Sequence, residues 1–250
     1  MPPGAPEITV VIPVFDEEGI VASACQDLMA ALEQRGWDYE LLLSENGSRD
    51  RTAEILAELA RAHPRLRFIR SSQPNYGLAL KRGIGEARGR WVVADEIDLC
   101  DPTFYDRALP LLTRGEADMV VGSKRARGSV DGRPAFRRFA TWVHNTLLRF
   151  TLGFHGTDTH GVKAFSREAV APVASRCVVD RDVFASELVL RAGLEGKRVV
   201  EIPIELHEKR PPSVGLLRRV PNVIRQLARL FWVLRVTAPV RRARRVEAGE

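Results

Sequence analysis

The sequence predicts an α/β fold, a mostly parallel sheet with helices on both faces, followed by a C-terminal amphipathic helix. Three observations predict it. Short apolar runs at residues 8–14, 39–43, 66–69, 91–94 and 118–122 alternate with helical patterns roughly every 25–35 residues, the spacing of strand–helix–strand crossovers. The first run, ITVVIPV, is continuously apolar rather than alternating, as a strand covered on both faces requires. Acidic side chains follow the first, second and fourth runs, and the carboxyl ends of strands are where such folds bind ligands.

In chain order, the strand at residues 8–14 leads into Asp16, Glu17 and Glu18, which favour the positive end of a helix running to about Arg35. The strand at residues 39–43 ends in Ser44-Glu45-Asn46-Gly47-Ser48. Asp50-Arg51-Thr52 then leads into a helix with Ile55, Leu56, Leu59 and Ala60 on its apolar face. A third strand at 66–69 and a third helix at 78–88 follow. The run 91–94 then meets four acids, Asp95, Glu96, Asp98 and Asp101. If the chain turns there, Glu96 and Asp98 reach a shared point, and two hard oxygen ligands suit Mg²⁺ or Mn²⁺. The same stretch also reads as a solvated loop whose Asp101-Pro102 opens the next helix, to about Thr113. A fifth strand is expected at 118–122.

Composition narrows the classes. A chain of 250 residues, 45% hydrophobic, can bury one large core or two small ones. Cys25, Cys100 and Cys177 show no zinc or disulfide spacing, which points to a reducing, cytoplasmic compartment. No leader is read at the start, and no apolar run approaches the ~20 residues that cross a bilayer. A Gly-x-Gly-x-x-Gly turn after the first strand and a Walker loop are both missing, so the usual dinucleotide and P-loop readings fail. A bound nucleotide is then expected to be held by carboxylates and a metal.

The net charge of +6 hides an asymmetry. Residues 210–250 carry ten arginines and two acids, leaving 28 basic and 30 acidic residues in the first 209. Within that tail Val220, Val223, Ile224, Leu227, Leu230, Phe231 and Leu234 share one helical face, with Arg218, Arg225 and Arg229 opposite. Such a helix either lies in a membrane interface, aided by Arg241, Arg242, Arg244 and Arg245, or packs on the sheet or another subunit. Nucleic acid is not an expected partner, because no recognition motif or aromatic platform accompanies the arginines.

A second basic stretch, Lys124, Arg125, Arg127, Arg133, Arg137 and Arg138 against the single acid Asp131, suits phosphate capture; the alternative is a solvated loop. His160 is expected to bond within a turn, and His144 to be a surface or packing residue. Asp182 and Glu187 read as helix-end charges, and as reserve bases if the acceptor is a hydroxyl.

In order and spacing, several motifs resemble the inverting family-2 glycosyltransferases of GT-A fold. They are Val11-Ile12-Pro13-Val14-Phe15-Asp16-Glu17, the segment from Glu45 to Thr52, Asn75-Tyr76-Gly77, Ala87-Arg88-Gly89 and Glu96-Ile97-Asp98. The segments DMVVGSK and DTHGVK, together with Glu201-Ile202-Pro203-Ile204, are similar to the polyprenyl-phosphate branch, which includes dolichyl-phosphate mannose and glucose synthases. The resemblance covers residues 8–213. It implies a Rossmann-like GT-A domain at 1–213, with 214–250 a basic amphipathic helix and disordered arginine-rich tail.

By the same resemblance Pro13 and Glu17 line the base and ribose pocket, and Glu45 contacts the nucleobase. Glu96 and Asp98 hold Mg²⁺ or Mn²⁺ and the diphosphate, with Asp98 catalytic. Lys124, Arg137 and Thr141 hold the acceptor phosphate, Lys124 and Arg137 as catalytic cations, and Arg210 and Ser213 close over the donor. The implied partners are a GDP- or UDP-sugar, a polyprenyl phosphate and the membrane surface, the protein being peripheral at the inner membrane face.

The chain departs from the family at Glu96 for the first metal Asp, Glu45-Asn46 for Asp-Asp, Cys100 for Gln and Val214 for Lys; the loop after Asn75 is about two residues short. Glu for Asp moves a carboxylate by over ~1 Å, a displacement that matters at reacting distances. Two alternatives therefore stand beside a polyprenyl-phosphate hexosyltransferase. One is the same fold with a soluble or other lipid acceptor; the other is a non-catalytic nucleotide-sugar-binding or scaffold domain.

Overall fold

The computed structural model describes residues 4–132, 134–206 and 216–237, without the side chains of residues 131, 137, 182, 206, 216–220 and 237. The first half is the expected alternation: β1 (Ile8–Val14), α1 (Val21–Gln34), β2 (Tyr39–Glu45), α2 (Thr52–Ala62), β3 (Leu66–Arg70), α3 (Tyr76–Glu86), β4 (Trp91–Ala94), α4 (Pro102–Thr113) and β5 (Met119–Ser123). The second half adds β6 (Val130–Asp131), α5 (Ala135–Leu152), β7 (Lys163–Ser166), α6 (Arg167–Arg176), a 3₁₀ turn at Arg181–Val183, α7 (Phe184–Leu194), β8 (Val199–Pro203), β9 (Glu205–Leu206) and α8 (Leu216–Trp232).

Seven strands form one sheet in the order β3-β2-β1-β4-β7-β5-β8, and β6 pairs β9 in a small second sheet. In the large sheet every neighbouring pair is parallel except those made by β7, which runs antiparallel to both β4 and β5. That strand is absent from the sequence-level reading: KAFS is short and carries a lysine, so its burial comes from topology rather than pattern. The α/β class with a mostly parallel sheet is as expected.

The sheet is a wall between two apolar layers. On one face Leu28 and Leu32 of α1, Leu56 of α2 and Phe104 of α4 pack on Ile12 and Leu43. On the other, Leu80 of α3, Leu148 of α5, Val170 of α6, Leu188 of α7 and Leu230 of α8 pack on Val11, Leu42 and Val121. Pro13 sits in β1 where the ladder to β4 has ended: Val11 O accepts from Asp95 N at 3.0 Å. Two residues on, Pro13 faces the same edge and lacks no ladder donor.

Three boundaries differ from expectation for local reasons. Helix α1 starts at Val21 rather than beside Asp16, because Asp16 and Glu18 bind the next loop instead (below). Helix α3 starts at Tyr76, where the Asn75 side chain accepts from Leu78 N at 3.0 Å. Asp118 precedes β5 because its carboxylate is taken by Arg198, 2.9 Å away. No helix among the described residues is long and apolar enough to cross a membrane.

Candidate active site

Strands β2, β1 and β4 are neighbours, so the loops after them meet along one edge. The first two loops are stitched together. Asp16 Oδ1 accepts from Arg49 N at 2.7 Å, Glu18 Oε2 from Arg51 N at 3.0 Å, and Glu17 N donates to Thr52 Oγ1 at 2.8 Å. Asp16 itself adopts a left-handed φ of 53°. Glu45 is fully buried; its Oε1 accepts from Ser48 N, and its Oε2 lies 3.2 Å from Arg70 Nε in an ion pair whose angle leaves that oxygen without a hydrogen bond. Beside it lies a cavity of about 480 Å³ lined by Gly47, Ser48, Arg70, Ser71 and Ser72.

A third loop joins them through Asn75. Its N–H donates to Asn46 Oδ1 at 2.6 Å, its Nδ2 donates to Asp180 Oδ2 at 2.9 Å, and its Oδ1 accepts from both Leu78 N and Arg181 N. The next two residues of the triplet have separate tasks. A Cβ at Gly77 would stand 2.6 Å from Arg181 N and from Phe184 Cβ, so only glycine lets this helix approach the 3₁₀ turn. Tyr76 points its hydroxyl at Glu96 Oε1, 3.4 Å away.

The chain does turn after β4, as a shared metal point required: Leu99 N and Cys100 N both donate to Glu96 O, with Cys100 at a left-handed φ of 37°. Of the four acids, two are structural. Asp95 is buried and accepts from Tyr105 Oη at 2.6 Å and Glu96 N at 2.8 Å; burial, against those two bonds, pushes it up to about 7. Asp101 caps α4 by accepting from Thr103 N at 3.0 Å. The solvated-loop reading thus holds for Asp101.

Glu96 and Asp98 remain. Burial and the Asp98 charge raise the Glu96 carboxyl, against the pull of the Lys124 and Lys163 charges. No described group hydrogen-bonds or ion-pairs with the Asp98 carboxylate. Among the described residues no cluster of three metal-ligating side chains exists. Two carboxylates with open lone pairs fit Mg²⁺ or Mn²⁺, which takes one or two carboxylates and completes its shell with water and phosphate oxygens.

Across β7 lies a cationic cluster. Lys124 follows β5; its Nζ lies 3.7 Å from Asp158 Oδ2, and its N–H donates to the same oxygen at 3.2 Å. Burial alone would raise the Asp158 carboxyl, but the Lys124 charge and backbone donors outweigh it and hold it below the usual range. Glu201 secures the turn by accepting from Thr157 N at 2.7 Å and Thr157 Oγ1 at 2.6 Å. Lys163, 3% exposed, donates to Gly161 O at 2.6 Å, and burial brings it down to about 8. A Cβ on Gly161 would sit 1.7 Å from Gly122 O, so a glycine contact fixes the lysine's partner.

Both histidines lie here. His144 Nε2 pairs with Ser186 Oγ at 3.0 Å, Ser186 Oγ with Thr159 Oγ1 at 2.8 Å, and Thr159 Oγ1 with His160 Nδ1 at 3.1 Å. The two rings meet edge to face at 5.0 Å. Burial lowers His144 to about 4 and His160 to about 3. His160 bonds within its turn, as expected, and His144 packs.

Glu187 lies in the first turn of α7, as expected of a helix-end charge, and it is fully buried, accepting from Val178 N and Val179 N, each at 2.8 Å, and from Arg191 Nη2 at 2.7 Å. With both oxygens engaged it is no general base. The side chains of Arg137 and Asp182, and all of Arg133, Arg210, Ser213 and 241–245, lie outside the described residues. Of the acceptor set, Lys124 stands in the cluster and Thr141 lies on the inward side of α5, near Asn145, whose Nδ2 donates to Thr157 O at 2.7 Å. Sequence reading missed Asp158, Lys163 and Tyr76 as site residues, though all three fall inside motifs it singled out.

The arrangement sets the Glu96 and Asp98 carboxylates and the Lys124 cation within reach of one another's fields. The chain is 29% identical over 248 residues to glycosyltransferase AglD of Haloferax volcanii, covering 97% of this chain and 40% of that protein. It is 30% identical over 209 residues to the undecaprenyl-phosphate 4-deoxy-4-formamido-L-arabinose transferase of Edwardsiella ictaluri, covering 81% and 60%. The chain therefore spans about half the length of these relatives. Glucosyl-3-phosphoglycerate synthase from Mycobacterium tuberculosis, solved with Mn²⁺, UDP and glucosyl-3-phosphoglycerate, superposes with a TM-score of 0.61 at 22% identity over 91% of this chain and 79% of that one, which shows a common fold. Residues 9–172 match the model of glycosyl transferase family 2, and the chain belongs to that family.

Proposed function

We propose that this chain transfers a hexosyl group from a nucleotide-diphosphate sugar to a polyprenyl phosphate at the cytosolic face of a membrane. The observation that carries this is the pairing of two carboxylates left open by the fold, Glu96 and Asp98, with the Lys124–Asp158 cluster on the far side of β7. The polyprenyl-phosphate acceptor named for the Edwardsiella relative, and the Mn²⁺ and UDP bound by the mycobacterial enzyme, support it.

In this reading Glu17, Glu45 and Pro13 border the nucleoside, with Arg210 and Ser213 closing over the diphosphate. Glu96 and Asp98 would hold the divalent cation, which when bound neutralises charge on the leaving diphosphate. Lys124, Arg137 and Thr141 fix the acceptor phosphate. One of its oxygens attacks the anomeric carbon, and the bond from that carbon to the diphosphate breaks with inversion. The acceptor is already anionic, so no general base is required. That agrees with a site in which Glu187 is fully engaged. Residues 1–213 form the catalytic body, and 214–250 the basic segment that approaches the membrane.

The test is calorimetric titration of the protein with GDP and UDP, each with Mn²⁺ and with EDTA, followed by a transfer assay. Metal-dependent binding of one nucleotide, and transfer to a polyprenyl phosphate that Arg137→Ala weakens mainly in acceptor KM, is expected. Binding of neither nucleotide would sink the proposal; unchanged acceptor use by Arg137→Ala would sink the lipid-phosphate part alone.

A further inference from the structure

The reaction described above makes no use of Glu201, yet this side chain ends a hydrogen-bonded chain that reaches the basic loop after β5. Glu201 lies on β8, in register with Val121 of β5. Its Oε1 accepts from Thr157 N at 2.7 Å and Asp158 N at 3.3 Å, and its Oε2 from Thr157 Oγ1 at 2.6 Å. Thr157 Oγ1 lies 2.6 Å from the Oγ of Ser123, the fully buried last residue of β5. Ser123 Oγ in turn accepts from Arg125 N at 3.1 Å and Ala126 N at 3.0 Å.

Proton counting fixes the direction of the chain. Each hydroxyl has one proton and two lone pairs. The Thr157 proton goes to Glu201, since a carboxylate only accepts. Ser123 must therefore donate to Thr157 Oγ1, which keeps both its lone pairs for the loop N–H groups. An amide in place of the Glu201 carboxylate cannot preserve this order. With its NH₂ toward Thr157 Oγ1, the Thr157 proton turns to Ser123, whose oxygen then faces three donors with two lone pairs. With its NH₂ the other way, it meets the Thr157 and Asp158 N–H groups donor to donor.

The same residues flank Lys124. Ser123 precedes it, and Asp158, next to Thr157, accepts from Lys124 N at 3.2 Å and pairs with its Nζ at 3.7 Å. Arg125 and Arg127 are exposed in the loop that Ser123 ties down. We propose that Glu201 is a positioning residue: through Thr157 and Ser123, its charge holds the loop 124–127 in the conformation that presents Lys124 to the acceptor phosphate. The use of that conformation rests on the polyprenyl-phosphate reading above; the ordering of the loop does not.

The experiment compares the full chain with Glu201→Gln, Thr157→Val, Thr157→Ser and the Glu201→Gln/Thr157→Val double variant. Binding of farnesyl phosphate and of UDP and GDP, each with Mn²⁺, is measured by calorimetry. Backbone amide exchange at Arg125 and Ala126, and thermal unfolding, are followed in parallel. Glu201→Gln and Thr157→Val are expected to weaken farnesyl phosphate about tenfold or more, to speed exchange at both amides and to leave nucleotide affinity unchanged. Thr157→Ser, which restores the hydroxyl, is expected to behave as wild type. The double variant is expected to be no worse than the poorer single one, because both changes break one chain. Wild-type exchange at Arg125 and Ala126 in a folded Glu201→Gln variant overturns the proposal. So does a Thr157→Val variant that binds and exchanges as wild type while Thr157→Ser is impaired, the pattern of a packing role. A wild type that binds nucleotide but not farnesyl phosphate overturns the acceptor reading instead, and the exchange rates then decide the role of Glu201. Should Glu201→Gln unfold, the Thr157→Val and Thr157→Ser pair carries the same test.

Discussion

The two edges of the site are built by opposite rules. On the donor edge, acids lie at strand ends and in the loops after them, and most are occupied: Asp16 and Glu18 by backbone N–H groups, Glu45 by Ser48 N and Arg70, Asp95 by Tyr105, Asp101 by its own helix. What remains is Asp98, and Glu96 with only the Tyr76 hydroxyl on it, the pair proposed above to hold the cation. On the acceptor edge the ionisable groups are mostly buried. Burial lowers Lys163, His144 and His160, and the Lys124 charge with backbone donors holds the Asp158 carboxyl below its usual range. The first edge is a hydrogen-bonded frame that leaves the Asp98 carboxylate open and gives Glu96 only the Tyr76 hydroxyl; the second is a polar interior whose Lys124–Asp158 pair is made before any ligand arrives. A change at the first should therefore remove binding, and a change at the second should first disturb stability or its pH dependence.

The sharpest test of this contrast is Asp98→Asn. It removes an open ligand and no internal hydrogen bond, so kcat should fall about 10³-fold or more while the unfolding midpoint stays within about a degree of wild type. A large drop in stability would break the comparison. Glu187→Gln tests the other edge. Leaving the Arg191 charge buried without its counter-charge should destabilise the fold by about 3–5 kcal/mol, read by denaturant titration; a neutral outcome would mean that the pair is solvated.

The histidines give a pH signature. Their folded values, about 4 for His144 and about 3 for His160, lie below the ordinary ~6.5, so the unfolded chain binds more protons on acidification. Their contribution is fully present above pH ~6.5 and is lost progressively as pH falls toward 4. For His144 the loss is about 2 kcal/mol by pH 5. Stability measured from pH 7 to 4.5 should show this slope, and His144→Gln should flatten part of it; an unchanged slope would place the titration elsewhere. Smallest is Asn75→Ala, which removes the α3 cap and the tie to Asp180 and should cost about 1–2 kcal/mol. It should also raise the donor KM, because the 3₁₀ turn loses its side-chain tie to this loop while the backbone bond from Asn75 to Asn46 remains. A stability loss with unchanged KM would show that the frame and the site are separable.

Much of the donor edge was legible because it obeys one-dimensional rules. An apolar run followed abruptly by acids marks a strand end, and strand ends of a parallel sheet converge. The acceptor edge was not, because its partners are brought together by topology. Asp158 meets Lys124 across 34 residues, and no spacing rule announces it. Lys163 sits in a strand too short to show a pattern. Glu187 left a clue: the residues around it, from Phe184 to Ala192, are apolar on all sides, which marks a buried helix, and Arg191 stands at i+4. A carboxylate there could not be a surface charge. On α8, Leu230 packs into the core, as does Leu234 just beyond its end, while Ile224 and Trp232 do not, so packing and exposure coexist on one helix.

The reversed strand β7 has a consequence for how such a chain can be altered. Because it runs against its neighbours β4 and β5, the chain that leaves the sheet after Ser123 returns to it at Lys163 along the same rim. Everything between, including Lys124, α5 and the Asp158 turn, is a detour that begins and ends at one border of the sheet. Such a detour can be exchanged, lengthened or reshaped without shifting the pairing of β1, β2 and β4. On the proposed function, the recipient of the sugar would be specified by a replaceable cassette, while the grip on the donor would stay with an unchanged framework.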